Sequence, residues 1–169
     1  MFKHHWHHWL DQLGLRVSSI DALPQLAMLA IPVGLLSGGT IIAFRILVES
    51  SQDMLLPGGS MHENYGALPP LLRLLLPLAG GLLIGLAWQF LRKDTRHVGI
   101  VHVMERLAHH QGRLPLRNAV AQFFGAALSI ISGHSVGREG PSVHLGAASG
   151  SLLGQWLHLP NNSNRTLVA

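Results

Sequence analysis

Cysteine is absent from the chain, which excludes a disulfide framework and any cysteine-ligated metal site and leaves the redox compartment unread. Charge is scarce as well. Only 12% of the 169 residues are Asp, Glu, Lys or Arg, while 48% are hydrophobic. Soluble domains carry about a quarter charged residues, because a folded surface has to stay wet. The deficit therefore indicates a membrane protein. No secretory leader is recognisable either, since the first long apolar stretch opens after Asp21 and runs well past leader length, so the membrane segments are expected to do the targeting.

A basic patch with interleaved aromatic residues is also missing. The net charge is +4, but six of the twelve Lys and Arg residues fall between Arg92 and Arg117, flanked by apolar segments. The excess of positive charge in cytoplasmic loops explains them, and nucleic acid is not expected as a partner.

Two regions follow from the pattern. Residues 1–20 place Trp6, Trp9, Leu10 and Leu13 at helical spacing and read as an amphipathic helix lying in the cytoplasmic membrane interface. His4, His5, His7 and His8 could chelate a metal, but no carboxylate or cysteine joins them. Anchoring is the simpler account, and no metal or cofactor is expected. Residues 21–169 form the membrane part.

From Ala22 to Phe44 about 23 residues pass without a charge, enough at about 1.5 Å each to cross a hydrocarbon layer of about 30 Å. Pro32 predicts a bend there, and Gly34 with Gly38 a close-packed face. Val48 to Gly66 carries Glu49, Asp53 and Glu63 without Lys or Arg, contains Pro57-Gly58-Gly59, and reads as an external loop. A second span runs from about Leu68 to Leu91, with Arg73 near one end where it can snorkel. It stops at the basic stretch Arg92 to Arg96, which places that loop and the N-terminus in the cytoplasm of a multi-pass inner-membrane protein.

Residues 99–110 form a short amphipathic piece, and Pro115 stands near a helix start. Two further apolar stretches, Asn118 to Val136 and Ser142 to about Leu159, are separated only by Gly137-Arg138-Glu139-Gly140-Pro141. Either this is a tight hairpin at the surface, or the helices break inside the membrane around a polar site. Pro141 suits the first turn of a helix and Gly140 lets backbone approach a ligand. A helix N-terminus within a membrane is a natural anion site, and Glu139 at its mouth can occupy that site or be displaced from it. Equally, Glu139 can cap the helix and pair with Arg138. Spacing alone leaves both readings open.

The stretch Ser132 to Gly146, centred on Gly137-Arg138-Glu139-Gly140-Pro141, resembles the G-[KR]-E-G-P signature of the CLC chloride channel and transporter family. The resemblance implies an all-α polytopic membrane fold with discontinuous half-helices, of which this chain is the N-terminal portion. It implies a homodimer with one pore per subunit, carrying chloride or a similar anion by a channel or proton-exchange mechanism, with protons and membrane lipid as further partners and no enzymatic role. By the same resemblance Glu139 is the gate, and Gly137, Arg138, Gly140 and Pro141 belong to the anion site. The family's G-S-G-I-P motif corresponds to His97-Val98-Gly99-Ile100-Val101, which keeps Gly99 and Ile100 as anion-lining positions but has Val98 for the serine and Val101 for the proline. Loss of that hydroxyl leaves the preferred anion open among chloride, nitrate and fluoride.

Gly146, Gly150 and Gly154 make a small-residue stripe suited to helix packing, and His144 reads as a buried, satisfied histidine. The sequence reaches Ala169 before the family's second repeat, so a fragment that does not conduct by itself is expected, and the group that separates channel from exchanger lies further on. The competing reading is a membrane scaffold without transport. A soluble nucleotide-binding enzyme fails, because the glycines near 133 to 140 lack the G-x-G-x-x-G turn and follow no strand.

Overall fold

The apolar run after Asp21 folds as one long helix, α1 (Leu23–Leu55), in a computed structural model that describes residues 23–56 and 64–168. The expected interfacial helix at residues 1–20 and the histidines within it lie outside those residues. At about 1.5 Å per residue α1 is about 50 Å long, more than a bilayer core, so it tilts or projects.

The reading of Val48 onward as loop is corrected here. Helix continues through Glu49 and Asp53 and stops only where Leu56 precedes Pro57. Val48, Gln52 and Leu56, spaced at four-residue intervals, are buried and form the stripe by which this last part of α1 packs. Glu49 is matched on the helix itself, accepting a hydrogen bond from Arg45 Nε at 2.7 Å. Acidic residues paired in this way do not end a helix. The close-packed face expected at Gly34 and Gly38 is corrected too: nothing among the described residues lies within 4 Å of a side chain built on either glycine. α1 turns Val33, Phe44 and Val48 inward instead.

α2 (Pro70–Phe90) begins with Pro70 in the position where its missing N–H is harmless. Arg73 folds back toward the entry of the helix, with its guanidinium on the Leu68 and Gly66 carbonyls. α1 and α2 are the two helices long and apolar enough to cross a membrane. A tight turn at Lys93–Arg96 leads to α3 (Ile100–His109), which starts after Gly99 in a left-handed conformation (φ 88°).

α4 (Leu116–Ile131) ends five residues short of the Val136 limit read from the sequence. Gly133 at φ 80° is the reason: its N–H donates to Ile130 O at 3.0 Å, and that of His134 to Ser129 O at 3.1 Å, closing a Schellman cap. α5 (Glu139–Trp156) starts with Pro141 in its first turn and is closed by the same device at His158, and α6 (Asn161–Val168) follows.

The described residues are all helical, without a strand. α5 stands at the centre, touching α1, α3, α4 and α6. Phe44 and Val48 of α1 meet Ala127 and Ile130 of α4 and Leu145 of α5 in one core, while Val103, Leu114, Ala119, Ala147, Ala148 and Val168 form another. In the glycine stripe, Gly150 lies against the backbone of Leu167 and Gly154 against Asn164, while Gly146 faces open space.

Candidate functional site

The segment between α4 and α5 is built around the midpoint of α2. Ser132 and His134 pack on Gly80 and Gly81, the eleventh and twelfth of α2's 21 residues. That is about 15 Å from the start of a membrane-crossing helix, which favours helices broken inside the membrane over a surface hairpin. Backbone groups in such a place need partners from the protein itself. Tyr65, the chain's one tyrosine, provides them: its hydroxyl lies 2.8 Å from Ile130 O and 3.0 Å from Ile131 O, and it accepts from Gln52 Nε2 at 3.0 Å. Sequence reasoning missed Tyr65, and a lone tyrosine between two spans was the available signal.

A cavity of about 320 Å³ lies next to this junction, lined by Val98 and Gly99 before α3, by Gln122, Gly125 and Ser129 of α4, and by Gly140 and Pro141 of α5. The two motif segments, forty residues apart in the chain, thus face one another across one space. Ser142 N–H is committed to Arg138 O at 3.1 Å and Pro141 has no N–H, so the amides left at the start of α5 are those of Glu139 and Gly140.

Of the residues singled out in the sequence, Gly99, Gly140 and Pro141 line this cavity. Ile100, Gly137, Arg138 and Glu139 do not. The Arg138 side chain runs to α1, with Nη1 3.3 Å from Glu49 Oε1 and Nη2 3.4 Å from Gln52 Oε1. Pairing of Arg138 with Glu139 is therefore not seen, nor does any side chain cap α5. Glu139 is exposed, in the first turn of α5, and makes no hydrogen bond or ion pair among the described residues.

Gly99 carries a feature that spacing could not show. Its N–H lies 2.9 Å and its carbonyl oxygen 3.1 Å from Nδ1 of His144, so the imidazole accepts from the one or donates to the other according to its tautomer. His144 is fully buried, as anticipated, but Nε2 has no partner. Its ring stacks on that of His102 at 5.8 Å between centroids, and His102 on His97 at 6.2 Å. Among the described residues no group of three His, Asp or Glu is arranged to hold a metal.

A sequence model described as voltage gated chloride channel matches residues 80–169. Among curated proteins, the chain is 39% identical over 133 residues to a putative chloride channel protein ClcB-like of Ralstonia nicotianae, an alignment covering 77% of this chain and 31% of that one. It is 28% identical over 129 residues to the voltage-gated ClC-type chloride channel ClcB of Salmonella typhimurium and of Salmonella typhi, covering 73% of this chain and 30% of each relative. The chain spans about three tenths of the length of these curated relatives. No solved structure matches it at comparable significance.

Proposed function

Because the chain belongs to the voltage gated chloride channel family, we propose that it forms the N-terminal part of a membrane protein that transports chloride or a related anion, with Glu139 as the gate. The observation that carries this reading is the cavity in which Val98 and Gly99 face Gly140 and Pro141, walled on the α2 side by Ile84 and Trp88.

The chemistry follows from the start of α5. Free amides at Glu139 and Gly140, with the positive end of the helix dipole behind them, attract an anion where little water competes. Gln122 and Ser129 supply polar side chains on the facing wall. Glu139 has no partner holding it outward, and its carboxylate is one residue from the same amides. When it turns inward it occupies the site as an internal anion. When protonated, or displaced by a permeant anion, it leaves the site open. The basic region from Arg92 to Arg117 faces the cytoplasm in this reading, and the complete protein is a homodimer in the inner membrane with the second repeat closing the pathway.

Glu139→Gln in the longer parent protein tests the gate. Anion efflux from proteoliposomes is expected to become passive and lose its pH dependence, because the neutral amide no longer competes for the helix start. An unchanged pH response sinks the gating role.

A further inference from the structure

A second, larger cavity of about 530 Å³ runs between α2 and α4, lined by Ile84, Trp88 and Leu91 on one side and Val120, Phe124 and Leu128 on the other. It closes at one end on Arg92, Thr95 and Arg117. The Trp88 ring, lying on Gly125, separates it from the anion cavity. Along its length this groove is hydrocarbon, and its charged end coincides with the end of α2, the level at which a spanning helix meets headgroups.

Both arginines are exposed, and neither has a partner among the described residues. Arg96 in the same turn behaves differently, giving its N–H groups to the Leu91 and Gln89 carbonyls. The basic turn is held in place: Asn118 of α4, buried, donates through Nδ2 to Asp94 O at 2.9 Å and His97 O at 2.7 Å. This clamp fixes Arg92 relative to Arg117, and the first amides of α4, which have no intrahelical acceptor, stand at the same end.

We propose that this groove binds an anionic phospholipid, one acyl chain lying between α2 and α4 and the phosphate held between Arg92 and Arg117. Guanidinium groups match phosphate oxygens in charge and in hydrogen-bond geometry, and basic pockets between spanning helices on the cytoplasmic side suit such headgroups. A zwitterionic lipid would bring an ammonium against two fixed positive charges. The site goes beyond the transport reading and stands without it, since lipid retention is measured apart from anion flux.

The test uses the longer parent protein in detergent, titrated with phosphatidylglycerol or phosphatidylcholine and read by native mass spectrometry. Phosphatidylglycerol is expected to be retained in preference, and its retention to fall about thirtyfold in R92Q/R117Q, two arginines each contributing their attraction for anionic lipid. If the double variant does not fold, R117Q alone carries the test with about a fivefold loss. Equal retention of the two lipids, or retention unchanged in the variants, overturns the proposal. A photoreactive amino acid in place of Val120 gives an independent reading in native membranes. Crosslinking to phospholipid supports the site, and crosslinking to another segment of the same polypeptide overturns it.

Discussion

α2 and α5 are both apolar helices of similar length, 21 and 18 residues, yet they solve opposite problems. α2 buries only Gly80 and turns Leu74, Leu78 and Leu82 outward, so its surface is matched to lipid tails. α5 buries eight residues, five of them Gly, Ala or Ser, and reaches four other helices. Its polar side chains serve loop backbone: Ser151 Oγ accepts from Leu114 N–H at 2.8 Å and donates to Gly112 O at 2.6 Å. A membrane helix that crosses completely can be made of leucine. One that starts at mid-depth has to supply polar partners and let neighbouring backbones come close, because no water or lipid will satisfy what it leaves exposed.

The contrast breaks most visibly at glycine. A Cβ on Gly150 meets the Leu167 carbonyl of α6, an atom that cannot rotate away, whereas one on Gly85 of α2 meets nothing. Gly150→Ala is expected to destabilise the protein by about 3 kcal/mol, the upper range for overpacking. Gly85→Ala is expected to be neutral or to stabilise by about 0.5 kcal/mol through helix propensity. Thermal melts of the two variants in detergent, followed by size-exclusion chromatography, compare them directly. Equal melting temperatures would mean that α6 moves freely on α5 and that the stripe does not set their spacing.

A smaller effect is expected where the two helices meet through the α4–α5 junction. Tyr65→Phe removes the hydroxyl that satisfies Ile130 and Ile131 while keeping the ring against Gly133. Buried carbonyls left short of a donor cost about 1–3 kcal/mol. Melts should register that loss while Tyr65→Phe leaves the helical content by circular dichroism unchanged. No loss would show that the bond from Gly133 N–H suffices for Ile130 O and that Ile131 O gains nothing from the hydroxyl.

What the sequence made legible was decided by local chemistry. The start of α4 after Pro115 and the start of α5 ahead of Pro141 both follow from proline's missing donor. The all-helical class and the meeting of Gly99 with Gly140 and Pro141 were likewise anticipated, the second through family resemblance. Features that depend on distant partners were not. Glu49 and Asp53 looked like loop residues because the stretch from Val48 to Gly66 has no Lys or Arg of its own, whereas the partners of Glu49 are Arg45, one turn before it, and Arg138, 89 positions after it. Gly34 and Gly38 looked like a packing face because small residues at that spacing often are, but α1 uses another side of itself. The bond from Gly99 to His144 spans 45 residues and no pattern announces it.

That bond leads to the subtlest expected effect, at Val98. Val98 lines the proposed anion cavity beside Gly99, whose N–H lies 2.9 Å from His144 Nδ1, so the Val98 side chain offers an anion methyl groups and no donor. Val98→Ser replaces those methyls with a rotatable hydroxyl. A neutral hydrogen bond contributes about 1 kcal/mol net, which corresponds to about a fivefold change in affinity. Anions differ in how strongly they attract such a donor, so the gain should be uneven across chloride, nitrate and fluoride. Flux for the three measured side by side should show their ratios changed by up to about fivefold, with the response to Glu139→Gln retained. Unchanged ratios would place the selective wall elsewhere, on the Gln122 and Ser129 side of the cavity. His144→Phe then separates the alternatives: with its acceptor gone, Gly99 N–H is free to turn toward the cavity, and a selectivity change in that variant but not in Val98→Ser would assign the contact on this wall to backbone rather than side chain.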